Sequence, residues 1–227
     1  MYFSIIKIGS WAFVPILSLR RRIYMFVSKV FKDITGHKYV YNITAIENIT
    51  SIIKNGVLCY NAVRKLPHSS IAIRTVQDRR DRVMIPNGLH LHRYANLYFD
   101  YNNPMLYKRK DIAEQICILA VDASIMDDPD CIFSDRNAAT DLVKFYPASR
   151  GVNEIDFEKV FAQYWTHDNY YEYLNHKAIK CAEILVPNDI PYDYIAGAYV
   201  VCHSAKKALV EAGFDKQIFV RPKVFYR

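Results

Sequence analysis

A chain of 227 residues is long enough for one sizeable core, with or without an appendage. Hydrophobic residues make up 52% and charged residues 23%, which excludes a disordered chain. The net charge of +7, with 18 Tyr and 12 Phe, suits a phosphate-bearing partner, because Lys and Arg meet phosphates while aromatic faces stack on bases.

Residues 2–19 are mostly apolar and are followed by Arg20-Arg21-Arg22. The length approaches that of a membrane span with a basic cytoplasmic flank. Lys7, Gly9 and Pro15 interrupt it, and the arrangement is not that of a cleaved leader. The stretch is therefore either a membrane-associated or spanning segment, or a packed helical extension or irrelevant leader. Residues 23–33, with Ile23, Phe26, Val27, Val30 and Phe31 apolar against Lys29 and Lys32, predict a short amphipathic helix. Thr35-Gly36-His37 ends it, and a boundary is drawn there: an apolar and basic extension over 1–37, and a domain over 38–227.

Residues 38–43 predict a strand, Thr44 an N-cap, and Glu47 the other half of a capping box. Ile46, Ile49, Ile52 and Ile53 then share a helical face, with Gly56 as the stop. Residues 59–88 are loop-like around a basic helix at 73–82. There Arg79, Arg80 and Arg82 with Asp78 and Asp81 either form a solvated, ion-paired face or turn one arginine inward. Asn87-Gly88 is a turn into a strand-like run at 89–99. Its His90 and His92 lack a third ligand at matching spacing, so one is expected packed and the other exposed.

Residues 115–121 predict a buried strand with Asp122 capping the turn after it, and 133–139 begin a further helix. Residues 150–180 are dense in aromatics, with Tyr164, Trp165, Tyr170, Tyr171 and Tyr173, and make either a base-stacking surface or a packed helical face. They lead into Cys181-Ala182-Glu183-Ile184-Leu185-Val186-Pro187, where one acid stands in an apolar strand. Its same-face neighbours are Cys181 and Leu185. An ionised carboxylate there is costly unless something pairs with it or needs it; a place on a rim is the plainer alternative. A strand pair over 191–201, a helix over 205–212 with Gly213 beyond it and a closing strand over 217–225 complete an α+β reading. The five cysteines Cys59, Cys117, Cys131, Cys181 and Cys202 are scattered, and no zinc spacing occurs, so reduced thiols and no structural metal are expected.

Several stretches together resemble the DarT family of DNA ADP-ribosyltransferase toxins, over nearly everything from Tyr41 onward. They are Tyr41-Asn42-Ile43-Thr44-Ala45-Ile46-Glu47-Asn48-Ile49, Gln77-Asp78-Arg79-Arg80, Leu91-His92-Arg93-Tyr94 through Tyr98-Phe99, Pro104-Met105-Leu106-Tyr107, Phe133-Ser134-Asp135-Arg136 and Ala182-Glu183-Ile184-Leu185-Val186. The resemblance implies an ADP-ribosyltransferase-like split β-sheet with flanking helices and an N-terminal helical extension. It implies NAD as substrate, transfer to thymine or guanine in single-stranded DNA, a cytoplasmic setting, and a cognate antitoxin, of macrodomain type or similar, that removes the mark. Carried over by position, Glu183 and Arg80 are the catalytic pair. Asn42, Ile43 and Thr44 match the cofactor-holding junction, with Gln77 and Met84 as neighbours. Residues 150–180 correspond to the family's loop for the substrate base, so His167, Tyr170, Tyr171 and Lys177, with His92, are expected as the DNA contacts. The family commonly has His where this chain has Asn42; Asn keeps a donor and an acceptor but loses the imidazole. Cys181 and His176-Lys177 lean the base towards guanine. A degenerate nucleic-acid-binding module, and a transferase acting on RNA or protein, are the alternatives.

Overall fold

A computed structural model describes residues 26–226; the stretch 2–19 and the arginine cluster lie outside them. Ten strands are described: β1 (Tyr39–Ala45), β2 (Val57–Leu58), β3 (Tyr94–Tyr98), β4 (Ile116–Asp122), β5 (Ile132–Ser134), β6 (Phe145–Pro147), β7 (Glu183–Pro187), β8 (Asp189–Ile190), β9 (Ile195–Val200) and β10 (Gln217–Val220). Eight of them form one sheet in the order β10-β9-β4-β1-β3-β7-β5-β6. Its central β4 is apolar at every position from Ile116 to Val121 because both faces are covered.

The sheet is split. β1 pairs with β4 at every residue from Tyr39 to Ala45, and β3 with β7 at every residue from Tyr94 to Tyr98. Between β1 and β3 a single pair, Tyr41 with Tyr98, is in register. The two halves therefore diverge away from that pair and leave side chains such as Asn42 and Asn96 at the seam. One row crosses both halves: Ser134, Glu183, Tyr98, Tyr41 and Ala120.

Helices cover the sheet. α1 (Val27–Thr35) stops at Gly36, whose φ of 73° suits glycine. It buries Val27 and Phe31, and the Phe31 ring meets Phe99 at 5.9 Å and Phe157 at 5.5 Å. The element before residue 37 thus packs into the same core as the sheet. α2 (Ile49–Asn55) buries Ile49 and Ile52 and ends at Gly56. The expected capping box does not form: β1 runs past Thr44, a 3-10 turn (Ile46–Asn48) intervenes, and the Thr44 hydroxyl accepts from Asn48 instead. Glu47 takes the Ser69 hydroxyl. α3 (Tyr60–Val63) and α4 (Arg74–Arg80) follow, then α5 (Pro104–Tyr107), capped by Asn103.

Residues 89–93 are not strand; a 3-10 turn (Leu91–Arg93) precedes β3. Asp122 does cap the turn after β4, accepting from the Ser124 amide at 2.9 Å. The helix expected over 133–139 is absent. Phe133 and Ser134 pair with Ile184 and Glu183, and Asn137 folds its side chain onto the Ala139 amide, a local bond that competes with helix. α6 (Ala148–Gly151), α7 (Phe157–Phe161) and α8 (Tyr170–Ile179) divide the aromatic-rich region, and α9 (His203–Glu211) lies where expected. β10 stops before Pro222, which has no amide to donate, and the chain turns into a 3-10 segment (Pro222–Phe225). No described helix is long and apolar enough to cross a membrane. The five cysteines are free thiols, and burial pushes Cys117 up to about 12.

Candidate active site

Of the four arginines in and just after α4, Arg74, Arg79 and Arg82 are exposed and Arg80, in the last turn, is buried. It meets Glu183, the first residue of β7. Arg80 Nη1 donates to both Oε1 and Oε2 at 2.9 Å, with Arg80 at 7% and Glu183 at 1% exposure. The Ala138 amide donates to Oε1 at 2.9 Å, and the Glu183 amide donates to Ser134 Oγ at 3.1 Å. The loop where a helix was expected therefore supplies the backbone donor that orients the acid. Burial opposes the charge on Arg80, but the adjacent carboxylate outweighs it and holds the guanidinium above its ordinary pKa. Tyr98, in register with Glu183, is pushed far above the usual phenol range by burial and then by that carboxylate.

Arg80 also lines a cavity of about 140 Å³ whose wall includes Tyr60, Gln77, His92 and Asn96. A larger cleft of about 330 Å³ opens beside α1 among Lys29, Lys32, Lys38 and Asp122. The smaller cavity is the better candidate, because a buried charge pair in a concave site is where chemistry is placed. His92 organises its wall. The ring nitrogens reach Asp81 Oδ1 at 3.2 Å and the Gln77 carboxamide at 3.1 Å, and Tyr60 lies over the ring at 4.1 Å between centroids. Burial first, then the charges of Arg80 and Arg64, hold His92 below its ordinary pKa despite Asp81. Both ring nitrogens face oxygens, Asp81 Oδ1 and Gln77 Oε1, and a neutral imidazole can donate to one of them alone.

The remaining candidates fall into three places. Asn42 donates to the Asn96 carbonyl at 3.2 Å across the split, with Ile43 and Thr44 buried behind it in β1. Met84 is 53% exposed, pairs with the exposed His90, and is not in the cavity wall. His92 is packed and His90 exposed, as the spacing suggested, which puts His92 in the cavity rather than on an open face. Tyr170 and Tyr171 are 66% and 80% exposed. His167 Nε2 stands 2.7 Å from His176 Nδ1, and Lys177 donates to the Tyr173 hydroxyl at 3.0 Å. Sequence reasoning missed Ser134, the Ala138 amide and Tyr60. Ser134 lies in one of the resembling motifs; the other two had no local signal.

A family model described as ssDNA thymidine ADP-ribosyltransferase, DarT, matches residues 41–226. A DNA ADP-ribosyl transferase-DNA ADP-ribosyl glycohydrolase fusion protein from Thermosipho africanus is 32% identical over 197 residues, covering 81% of this chain and 47% of the fusion. This chain thus spans about half the length of that relative. A DNA ADP-ribosyl transferase from Thermus aquaticus is 28% identical, covering 69% of this chain and 72% of its own. The structure of Thermus sp. 2.9 DarT in complex with ADP-ribosylated ssDNA aligns with a TM-score of 0.72 at 25% identity, covering 83% of this chain and 96% of that one. With 41–226 matched by its sequence model and the split sheet matched by a member's structure, the chain belongs to the DarT family of single-stranded-DNA thymidine ADP-ribosyltransferases.

Proposed function

We propose that this chain transfers ADP-ribose from NAD⁺ to a thymine in single-stranded DNA. The observation that carries the reading is the buried Arg80–Glu183 pair, formed between residues 103 positions apart beside a cavity at the seam of the sheet. Thymine follows the family description and replaces the lean towards guanine. The cavity, at about 140 Å³, is smaller than the roughly 300–1,000 Å³ that encloses a whole ligand. Its aromatic and amide wall therefore suits one end of a dinucleotide, with the remainder lying across the mouth.

NAD⁺ supplies a glycosidic bond whose nicotinamide leaves with the bonding pair; a base nitrogen takes the sugar carbon and its proton passes to solvent. Glu183 contributes a fixed negative charge against the positive charge that develops on the sugar, with no reorganisation needed when the bond breaks. Arg80 stabilises negative charge on the base as the proton leaves; a guanidinium almost never gives up its own proton, so it is not the base. Asn42 and Gln77 offer amide hydrogen bonds at the seam and the wall. Tyr170 and Tyr171 present open ring faces for stacking, His167 and Lys177 complete the acceptor contacts, and His92, packed in the cavity wall, lies on the dinucleotide's side instead. Single strands are the cheaper substrate because a paired base must first leave the stack.

Incubation with NAD⁺ and a panel of oligonucleotides, RNAs and proteins, read by mass spectrometry, should add one ADP-ribose to thymine-containing single strands only. No addition anywhere favours the non-catalytic binding module, and addition to RNA or protein names a different acceptor. By analogy with the Thermosipho africanus fusion, the partner is a DNA ADP-ribosyl glycohydrolase; its acting as antitoxin to this chain in the cytoplasm belongs to the same proposal.

A further inference from the structure

Residues 162–169, between α7 and α8, form neither helix nor strand. Their start is held by side chains that occupy four of the five backbone carbonyls from 159 to 163. His176 Nε2 donates to the Lys159 carbonyl at 3.0 Å, and Lys180 Nζ donates to Val160 at 2.6 Å and Ala162 at 2.9 Å. Asn102 Nδ2 donates to Gln163 at 3.1 Å. The third proton of the Lys180 ammonium goes to Asp100 Oδ2 at 2.9 Å. Lys180 is the one buried lysine among the described residues, at 1% exposure. Such burial is expensive, and a leucine or methionine would fill the space without it. What the charge adds is position. An ammonium at the end of α7 meets carbonyls that the helix leaves unpaired. It ties them to Asp100, two residues past Tyr98, and lies three residues ahead of Glu183 on the same chain.

We propose that Lys180 is a positioning residue for the DNA acceptor, seconded by Asn102. By gripping the start of the exposed aromatic segment it sets where a stacked base stands relative to Glu183, so that the base rather than water receives the transferred group. This rests on the DNA-modifying reading above. It adds a residue that touches neither substrate.

Three variants are compared with the wild type: Lys180→Met, Lys180→Met with Asp100→Asn so that no carboxylate is orphaned, and Asn102→Ala. Each is assayed for the KM of NAD⁺, the KM of a thymine oligonucleotide, and the share of released nicotinamide matched by modified DNA rather than by free ADP-ribose. The expected result for the folded double variant is an unchanged KM for NAD⁺, a roughly ten- to hundredfold higher KM for DNA, and a larger hydrolytic share. Asn102→Ala should move the same two readouts severalfold without unfolding the protein. A general loss of structure would raise both KM values together. Equal DNA KM and equal partition in wild type and folded variants overturn the positioning role. If the Lys180 variants do not fold, unchanged values for Asn102→Ala overturn it. Failure of the wild type to modify any DNA overturns instead the reading on which it rests.

Discussion

Glu183→Gln keeps the shape of the side chain and an acceptor for the Ala138 amide, and removes the charge alone. In the native pair both carboxylate oxygens stand 2.9 Å from Arg80 Nη1, with both residues buried. Removing one partner of a buried pair costs about 3–5 kcal/mol, because the other charge is left uncompensated. The carboxamide oxygen still accepts from the guanidinium, which places this change near the lower end, about 3 kcal/mol. For a chain of this size each kcal/mol moves Tm by about 2–4 °C, so a fall of about 6–12 °C is expected. Adding Arg80→Met removes the orphaned charge and should return most of that loss. Activity behaves differently. Glu183→Gln should lower kcat by about 10²–10³-fold, with no recovery in the double variant. Thermal melts give the first readout and mass spectrometry of the oligonucleotide the second. A double variant no more stable than the single one refutes the account of the pair, and near-wild-type transfer by Glu183→Gln refutes its catalytic role.

His92 titrates below its ordinary value in the folded chain, chiefly through burial. The unfolded chain therefore takes the proton first as pH falls. Its contribution to stability is complete above pH about 6.5 and is lost on acidification towards the depressed native value. Urea midpoints followed from about pH 8 to 5 should show this slope in the wild type and a shallower one in His92→Gln; identical slopes would mean that another group titrates. Gly56 has φ of 74°, and an added Cβ would strike the Ile190 carbonyl, so Gly56→Ala should cost at least about 1–2 kcal/mol in chemical denaturation. A variant as stable as the wild type would show that the turn relaxes. Asn42→Ala removes the amide bond to Asn96 across the seam, worth about 0.5–1.5 kcal/mol, and should raise the KM for NAD⁺; no change in either would make Asn42 a bystander.

The parts of the site that were legible are those whose signal is local. Glu183 stood out as one acid in an apolar strand, and Ile73 to Arg82 read as a basic helix. Which arginine turned inward was not legible in the local pattern, since residues 78–82 are all charged and the choice is made by β7, far along the chain; the family resemblance alone named Arg80. Two local patterns misled for the same reason. Thr44 and Glu47 have capping-box spacing, but Thr44 pairs with Cys117 and Ala45 with Ile116, and that ladder carries the strand past the expected cap. Phe133 to Ala139 looks helical until β7 pairs with its first residues. The split between β1 and β3 is a matter of register, which no single strand records, and only the family resemblance supplied it.

The partners of Glu183 also decide which of its oxygens can act. Oε1 accepts from both Arg80 and Ala138, whereas Oε2 accepts from Arg80 alone among the described residues. A sugar hydroxyl seeking the carboxylate therefore finds the less occupied lone pairs on Oε2. The acid is 1% exposed, and it is Arg80 that borders the cavity, so the route to Oε2 passes the guanidinium. In the proposed reaction Arg80 therefore serves twice: at rest its Nη1 pairs with both carboxylate oxygens, and on binding it gives ground to meet the acceptor. Both contacts come from the single nitrogen Nη1; a lysine in its place would preserve the charge but not the guanidinium's further, fixed N–H donors.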